Sequence, residues 1–230
     1  MTFMVCFRNP LEGLVDKCLE SLKWQKFKSW EALVVDDCSD SPHGYGEALR
    51  ISKDDTRVLV HRNSEQLGHM ENIFRMCLSA NGSILVEVDG DDFLCSSDAL
   101  RTIVKYFADG ADGTYGSCRG VHGLNQLALY TAKSFKDIGS LELLCPRAMR
   151  KDVWMKVYNR WGELAFKDKH GEWWRDGGTG WYYPVFRIAN PSNFVAIREI
   201  IYEFTRTGNS HDVYDETYMP RYIEHILGLP

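Results

Sequence analysis

The 230 residues contain no apolar run long enough to cross a bilayer, no CxxC pair, no repeat of fixed period and no low-complexity tract. The first absence argues against a membrane-spanning helix, which needs about 20 consecutive apolar residues. The second argues against a zinc site or a disulfide framework. The seven cysteines (Cys6, Cys18, Cys38, Cys77, Cys95, Cys118 and Cys145) are odd in number and scattered, and they read as reduced core residues. Basic charge is not in excess either. Lys and Arg number 27 against 32 Asp and Glu, a formal net charge of -5. That is the wrong sign for gripping a nucleic acid, whose phosphates need clustered cations. Free nucleotides stay open as ligands, and no nucleic-acid partner is expected. The first residues, TFMVCF after Met1, are too short and too unflanked for a signal peptide, so a cytoplasmic protein is expected.

What is present suits one soluble α/β domain: 44% hydrophobic, 13% aromatic and 26% charged residues, over a length ordinary for one such domain. A single domain over 1–230 is expected, in two halves that change character after Phe107. Thr2 to Phe7 reads as a buried strand. Leu11, Leu14, Val15, Cys18, Leu19 and Leu22 then recur at steps of three and four, giving a helix with one apolar face that ends near Trp24. Ala32 to Val35 and Val58 to Val60 read as further strands. Met70, Ile73, Phe74, Cys77 and Leu78 form a second helical stripe, closed by Asn81 and Gly82. Ile84 to Val88 is a fourth strand that runs into Asp89, Gly90, Asp91 and Asp92. Strands alternating with helices predict a Rossmann-like, mostly parallel sheet flanked by helices. Beyond Phe107 come a glycine-rich stretch and a Trp- and Tyr-rich region from Trp154 to Tyr183, which reads as a smaller second lobe.

Acidic groups gather at strand ends, Asp36 and Asp37 after the second strand and Asp89, Asp91 and Asp92 after the fourth. In open parallel sheets the crevice beyond the carboxyl ends of the strands takes the ligand, so both clusters should line one cleft. Three carboxylates within four residues repel one another unless a cation or hydrogen-bond donors offset them. Mg²⁺ or Mn²⁺, which favours carboxylate and phosphate oxygens, is one answer. For an isolated DGDD a solvated turn is the other, with equal weight.

The order of motifs decides between them. VCFRN up to Asn9, LVDKCLESLKWQ up to Gln25, ALVVDDCSD at Ala32 to Asp40, NSEQLGHMEN at Asn63 to Asn72 and ILVEVDGDDFL at Ile84 to Leu94 follow one another along the chain. In that order they resemble the inverting family 2 glycosyltransferases of the GT-A fold. The resemblance implies a transferase (hexosyl or deoxyhexosyl) that moves a sugar from a nucleotide-sugar donor, commonly a UDP sugar, to a glycan or glycoconjugate acceptor. It also implies a DXD-type grip on the donor diphosphate and a role in building polysaccharide. By it Phe7, Arg8 and Asn9 form the floor under the nucleotide, Asp36 or Asp37 bonds the base or ribose, and Asn63 and Gly68 shape the donor pocket. Two extra residues separate Asn63 from Gly68 compared with relatives. Asp89 and Asp91, with Gly90 between them and Asp92 in support, hold Mn²⁺ or Mg²⁺ against the diphosphate. The metal neutralises the charge that gathers there as the sugar bond breaks.

An inverting transferase also needs a base for the acceptor hydroxyl, and relatives place it in a Glu-Asp pair in the second half. Gly180 and Trp181 stand about where that pair is expected. Asp176 is the candidate base instead, with Trp173, Trp174, Trp181 and Tyr182 as acceptor-stacking aromatics. Near the C-terminus, IIYEFTRTGNSHD resembles the closing segment of relatives and offers His211 as a metal ligand and Arg206 as a clamp on the diphosphate. His61, His69, His122, His170 and His225 carry no spacing that suggests a metal site. Two other readings stay open, a catalytically inactive nucleotide- or carbohydrate-binding module and, more distantly, a sugar-nucleotide pyrophosphorylase.

Overall fold

The computed structural model describes residues 1–120, 125–126, 145–174, 180–205 and 218–230. Among the described residues nine strands form one sheet: β1 (Thr2–Phe7), β2 (Glu31–Asp36), β3 (Val58–Arg62), β4 (Ile84–Asp89), β5 (Phe93–Leu94), β6 (Gly113–Arg119), β7 (Asn125–Gln126), β8 (Arg147–Arg150) and β9 (Phe194–Glu203). Their spatial order is β3-β2-β1-β4-β8-β6-β9-β5, with β7 beside β6. The first four are parallel, and register puts Phe7 beside Asp36, Cys6 beside Asp89 and Asp36 beside Arg62. β8 joins β4 antiparallel and β6 joins β8 antiparallel, while β6 and β9 are parallel. The sheet thus runs unbroken from the first half of the chain into the second.

β1 is buried throughout, and apolar from Phe3 to Phe7, because it has helices on both sides. Phe3, Val5 and Phe7 face one core cluster and Met4 and Cys6 the other, as the two-residue period of a strand requires. On the first face lie α1 (Leu14–Lys23), α2 (His43–Asp54) and α4 (Ala99–Ala108). On the second lie α3 (His69–Ser79), α5 (Lys151–Trp161) and α6 (Tyr218–Gly228), together with the aromatic region, whose Trp154, Trp161, Phe166, Trp181 and Tyr182 are all buried. That region covers the shared sheet.

The expected strands and the two helical stripes appear with ends shifted by a few residues. Leu11 was expected in the apolar face of α1 but is 53% exposed, because Gly13 adopts a left-handed φ of 84° and the helix starts only at Leu14. Leu78, at the end of the α3 stripe, is likewise exposed. The periodicity missed α2, whose buried set is only Gly44, Ala48 and Ile51. Among the described residues no helix is long and apolar enough to cross a membrane. None of the seven cysteines is joined in a disulfide, and five of them are buried.

Candidate active site

The carboxyl ends of β2, β1 and β4 bring together most of the residues expected on the donor side. Gly90 lets the acidic turn approach β1. Its N–H donates to the Cys6 carbonyl at 3.1 Å, and a side chain there would meet Phe7 Cβ at 2.7 Å. The loops after β1 and β2 are latched. Asn9 sits at a left-handed φ of 49° and donates to Asp40 Oδ2 at 2.8 Å, while its own Oδ1 accepts from Asp40 N at 2.7 Å. Arg8 is exposed and lies 3.7 Å from Asp40. Phe7 is buried beneath this rim, as a floor would be.

Asp36 and Asp37 were expected to meet the base or ribose. Asp36 has no exposed surface. Ser39 N donates to its Oδ1 at 2.9 Å, and Arg62 Nε lies 3.2 Å from its Oδ2, an ion pair without hydrogen-bond alignment. Asp36 is therefore a structural anchor for the β2 loop and not a ligand contact. Asp37 is 3% exposed and accepts from Asn63 Nδ2 (2.8 Å), Leu67 N (2.9 Å) and Gly68 N (2.9 Å). Burial would raise its carboxyl, but these donors outweigh burial and hold it below the usual range. Asn63 and Gly68 are thus joined through Asp37, and the longer Asn63 to Gly68 segment folds around that carboxylate. Gly68, at a φ of 87°, gives way directly to α3.

The DGDD turn is less well compensated. Asp89 is part-exposed, and only the weak Cys145 thiol donor reaches its Oδ2, at 3.7 Å. Burial, followed by the neighbouring Glu87 carboxylate, pushes Asp89 up to about 6. Asp91 is part-exposed and Asp92 is 1% exposed. Asp92 Oδ1 accepts from Thr205 N at 2.6 Å, but Oδ2 is buried with no hydrogen-bond partner among the described residues. Burial and then Asp89 push Asp92 up to about 8. Carboxylates held this close and this dry favour a nearby cation or a bound proton. A divalent ion, with its preference for carboxylate oxygen, therefore suits the set.

One cluster escaped the sequence reading. Glu87 points to the side of β4 opposite Val86 and is fully buried, yet it is bonded by His69 Nε2 (2.9 Å), Arg147 Nε (2.6 Å) and Trp181 Nε1 (2.7 Å). Burial would raise its carboxyl, but Arg147 and then His69 outweigh it and keep it below the usual range. His69, Glu87 and Asp89 each place a ligand atom within 4.8 Å of the others. His69 thus stands in a group with metal-ligand chemistry, contrary to the expectation from spacing, because strand and helix unite residues 18 positions apart. Glu87 already has three donors including a guanidinium, so the aspartates are the better seats for an ion. A glutamate two residues before the DGDD run, on the same strand face, was the one available signal.

Two of the four aromatic residues expected to stack on an acceptor do something else. Trp181 and Tyr182 have no exposed surface. Trp181 donates to Glu87, and the Tyr182 hydroxyl donates between the Thr114 and Ala148 carbonyls, 2.9 Å from each. A ring without exposed surface offers no face to a sugar. Trp173 and Trp174 are half-buried, against Phe74 and Tyr222 respectively. Asp176, Arg206 and His211 lie outside the described residues.

This geometry is that of an α/β sheet with an acidic turn at the carboxyl end of β4, where the strand order reverses. The family model for glycosyl transferase family 2 matches residues 2–146, and the chain belongs to that family. An uncharacterized protein of Sinorhizobium fredii is 34% identical over 100 residues, 42% of this chain and 11% of that protein. Among solved structures, S. aureus TarS 1-349 in complex with UDP matches with a TM-score of 0.69 and 17% identity, over 99% of this chain and 65% of that one. TarS 1-349 alone matches with a TM-score of 0.67 and 18% identity, over 89% and 60%. The mannosyltransferase PcManGT from Pyrobaculum calidifontis, in complex with GDP-Man and Mn²⁺, matches with a TM-score of 0.62 and 13% identity, over 96% and 62%. The fold is that of the GT-A glycosyltransferases. The chain spans about three fifths of the length of these solved chains and a far smaller part of the Sinorhizobium protein.

Proposed function

We propose that this chain is a metal-dependent, inverting glycosyltransferase that moves a sugar from a nucleoside-diphosphate donor, a UDP sugar, to a hydroxyl of a glycan or glycoconjugate. The observation that carries the proposal is the under-compensated turn Asp89 to Asp92, at the end of the strand where the fold takes its ligand, with a buried Asp92 oxygen lacking a partner. Mn²⁺ or Mg²⁺ would be held by Asp89 and Asp91 with Asp92 behind them, and there it would neutralise the charge gathering on the departing diphosphate. Phe7 supplies the floor for the nucleotide. Asn9 and Arg8 form the rim, and Asp37 holds the Asn63 to Gly68 loop that closes the pocket from the β3 side. Trp173 and Trp174 are the aromatic residues left with surface for an acceptor. The complexes of TarS with UDP and UDP-GlcNAc and of PcManGT with GDP-Man and Mn²⁺ support a nucleotide sugar and a divalent ion here.

The test is a thermal-shift series with UDP-GlcNAc and GDP-mannose, each with and without Mn²⁺. A ligand that binds only the folded chain must raise its Tm, and a rise that needs both nucleotide sugar and Mn²⁺ is expected. No shift with any combination would overturn the proposal, and product stereochemistry by NMR would test inversion. A second reading, a module that binds without turning over, draws on Gly180 and Trp181 at the place of the expected acidic pair. Binding without release of nucleoside diphosphate would favour it.

A further inference from the structure

Resting on the transferase reading, we propose that His69 takes the proton from the acceptor hydroxyl and that Glu87 is its positioning residue, so that the acidic group absent at 180–181 is replaced from the opposite wall of the site. The position that would carry the pair is tightly packed. A side chain at Gly180 would come within 3.0 Å of Met70 Sδ, and the Gly180 carbonyl accepts from the Tyr222 hydroxyl. Trp181 is fully buried and aims its indole N–H at Glu87. The carboxylate at this place in the fold is therefore delivered by β4, and it is too deeply buried to meet a substrate itself.

His69 connects that carboxylate to the cleft. It is the first residue of α3, its side chain is 31% exposed, and its Nε2 lies on Glu87 Oε1 at 2.9 Å. Glu87 can only accept, so the ring proton is assigned to Nε2, which leaves the lone pair on Nδ1. Charged groups face the ring from two strands, Glu87 and Asp89 on β4 and Arg147 on β8. Asp89 stands within 4.8 Å and belongs to the turn assigned to the donor diphosphate, so the ring borders the region where the sugar bond breaks. In the step the acceptor oxygen bonds to the anomeric carbon and the carbon–oxygen bond to the diphosphate breaks, its electron pair leaving with the phosphate. The hydroxyl proton passes to Nδ1, and Glu87 stabilises the imidazolium that forms. A carboxylate behind an imidazole is a known way to fix its tautomer and orientation.

The test measures nucleoside diphosphate release from UDP-GlcNAc and from GDP-mannose with Mn²⁺, using water and p-nitrophenyl glycosides as acceptors. His69→Ala should lower kcat by at least ~100-fold, leave the donor Kd within about twofold, and regain part of the rate with added imidazole. Glu87→Gln keeps an acceptor for the ring but removes the charge, and should lower kcat with the donor KM unchanged. Turnover that survives His69→Ala, or a His69→Ala enzyme that imidazole does not raise above its own baseline, would overturn the inference. A wild-type chain that binds donor and releases nothing overturns the transferase reading as well, which separates the two failures.

Discussion

Two stretches of one strand treat negative charge in opposite ways. Glu87, in the middle of β4, is fully buried and has three side-chain donors within 2.9 Å, one of them a guanidinium. Asp89 and Asp92, at and just beyond its end, are met among the described residues by a thiol and one backbone N–H, with the Tyr202 hydroxyl beside Asp92 and no cation on either, and both are pushed up, to about 6 and about 8. The inner carboxylate has its counter-charge built in, so removing a partner should damage the fold. The outer ones lack theirs, so removing a charge should relieve the fold and damage ligand binding. The contrast separates a carboxylate whose counter-charge is built into the fold from carboxylates that await one from a ligand.

The largest effect should come from Arg147→Met. Removing one partner of a buried pair leaves the other charge uncompensated, at a cost of ~3–5 kcal/mol. Urea unfolding should read this as a fall in midpoint at unchanged slope. A midpoint within error of wild type would dissolve the contrast. Asp92→Asn should act with the opposite sign on stability. At pH 8 the metal-free variant should melt above wild type, while calorimetry should show Mn²⁺ binding weakened by about 100-fold, ~2.7 kcal/mol. A variant that melts lower and binds Mn²⁺ normally would move Asp92 to the structural side.

The edge that gathers the residues expected on the donor side was legible in the sequence because those residues stand at the ends of strands that announce themselves by unbroken apolar runs. Once β1, β2 and β4 are parallel neighbours, Phe7, Asp36 and Asp89 must share one edge. What each acid does there was not legible. Asp36 and Asp37 look alike in VVDD, yet one pairs with Arg62 from β3 and the other folds the Asn63 to Gly68 loop, contacts made across 26 to 31 residues of chain. Trp181 and Tyr182 looked like surface aromatics beside glycines. Nothing local says that a sheet and a helix bury them. The Glu87 network escaped for the same reason: His69, Arg147 and Trp181 come from α3, β8 and the turn before the Tyr183–Arg187 helical segment, and their spacing along the chain has no period.

The effect that accrues in the smallest steps is a pH dependence, and its sign follows from linkage. Asp92 titrates near 8 in the folded chain against an ordinary value of 3.8. Between those values the folded state holds more protons than the unfolded one, so stability falls as pH rises, by at most ~1.4 kcal/mol per unit for one group, and levels off above 8. Glu87 runs the other way. Its folded value lies below its ordinary 4.5, so its contribution is present above 4.5 and is lost as pH falls through the lower folded value. Metal-free protein should therefore be most stable in mildly acidic buffer and weaken toward pH 8, with Asp89 adding to the slope below about 6. Saturating Mn²⁺ should flatten the alkaline limb, because a cation favours the ionised aspartates that the empty fold disfavours. Asp92→Asn should flatten the same limb with no metal added. An alkaline limb that persists in that variant would place the titrating group elsewhere, and the outer aspartates would then be as well compensated as Glu87.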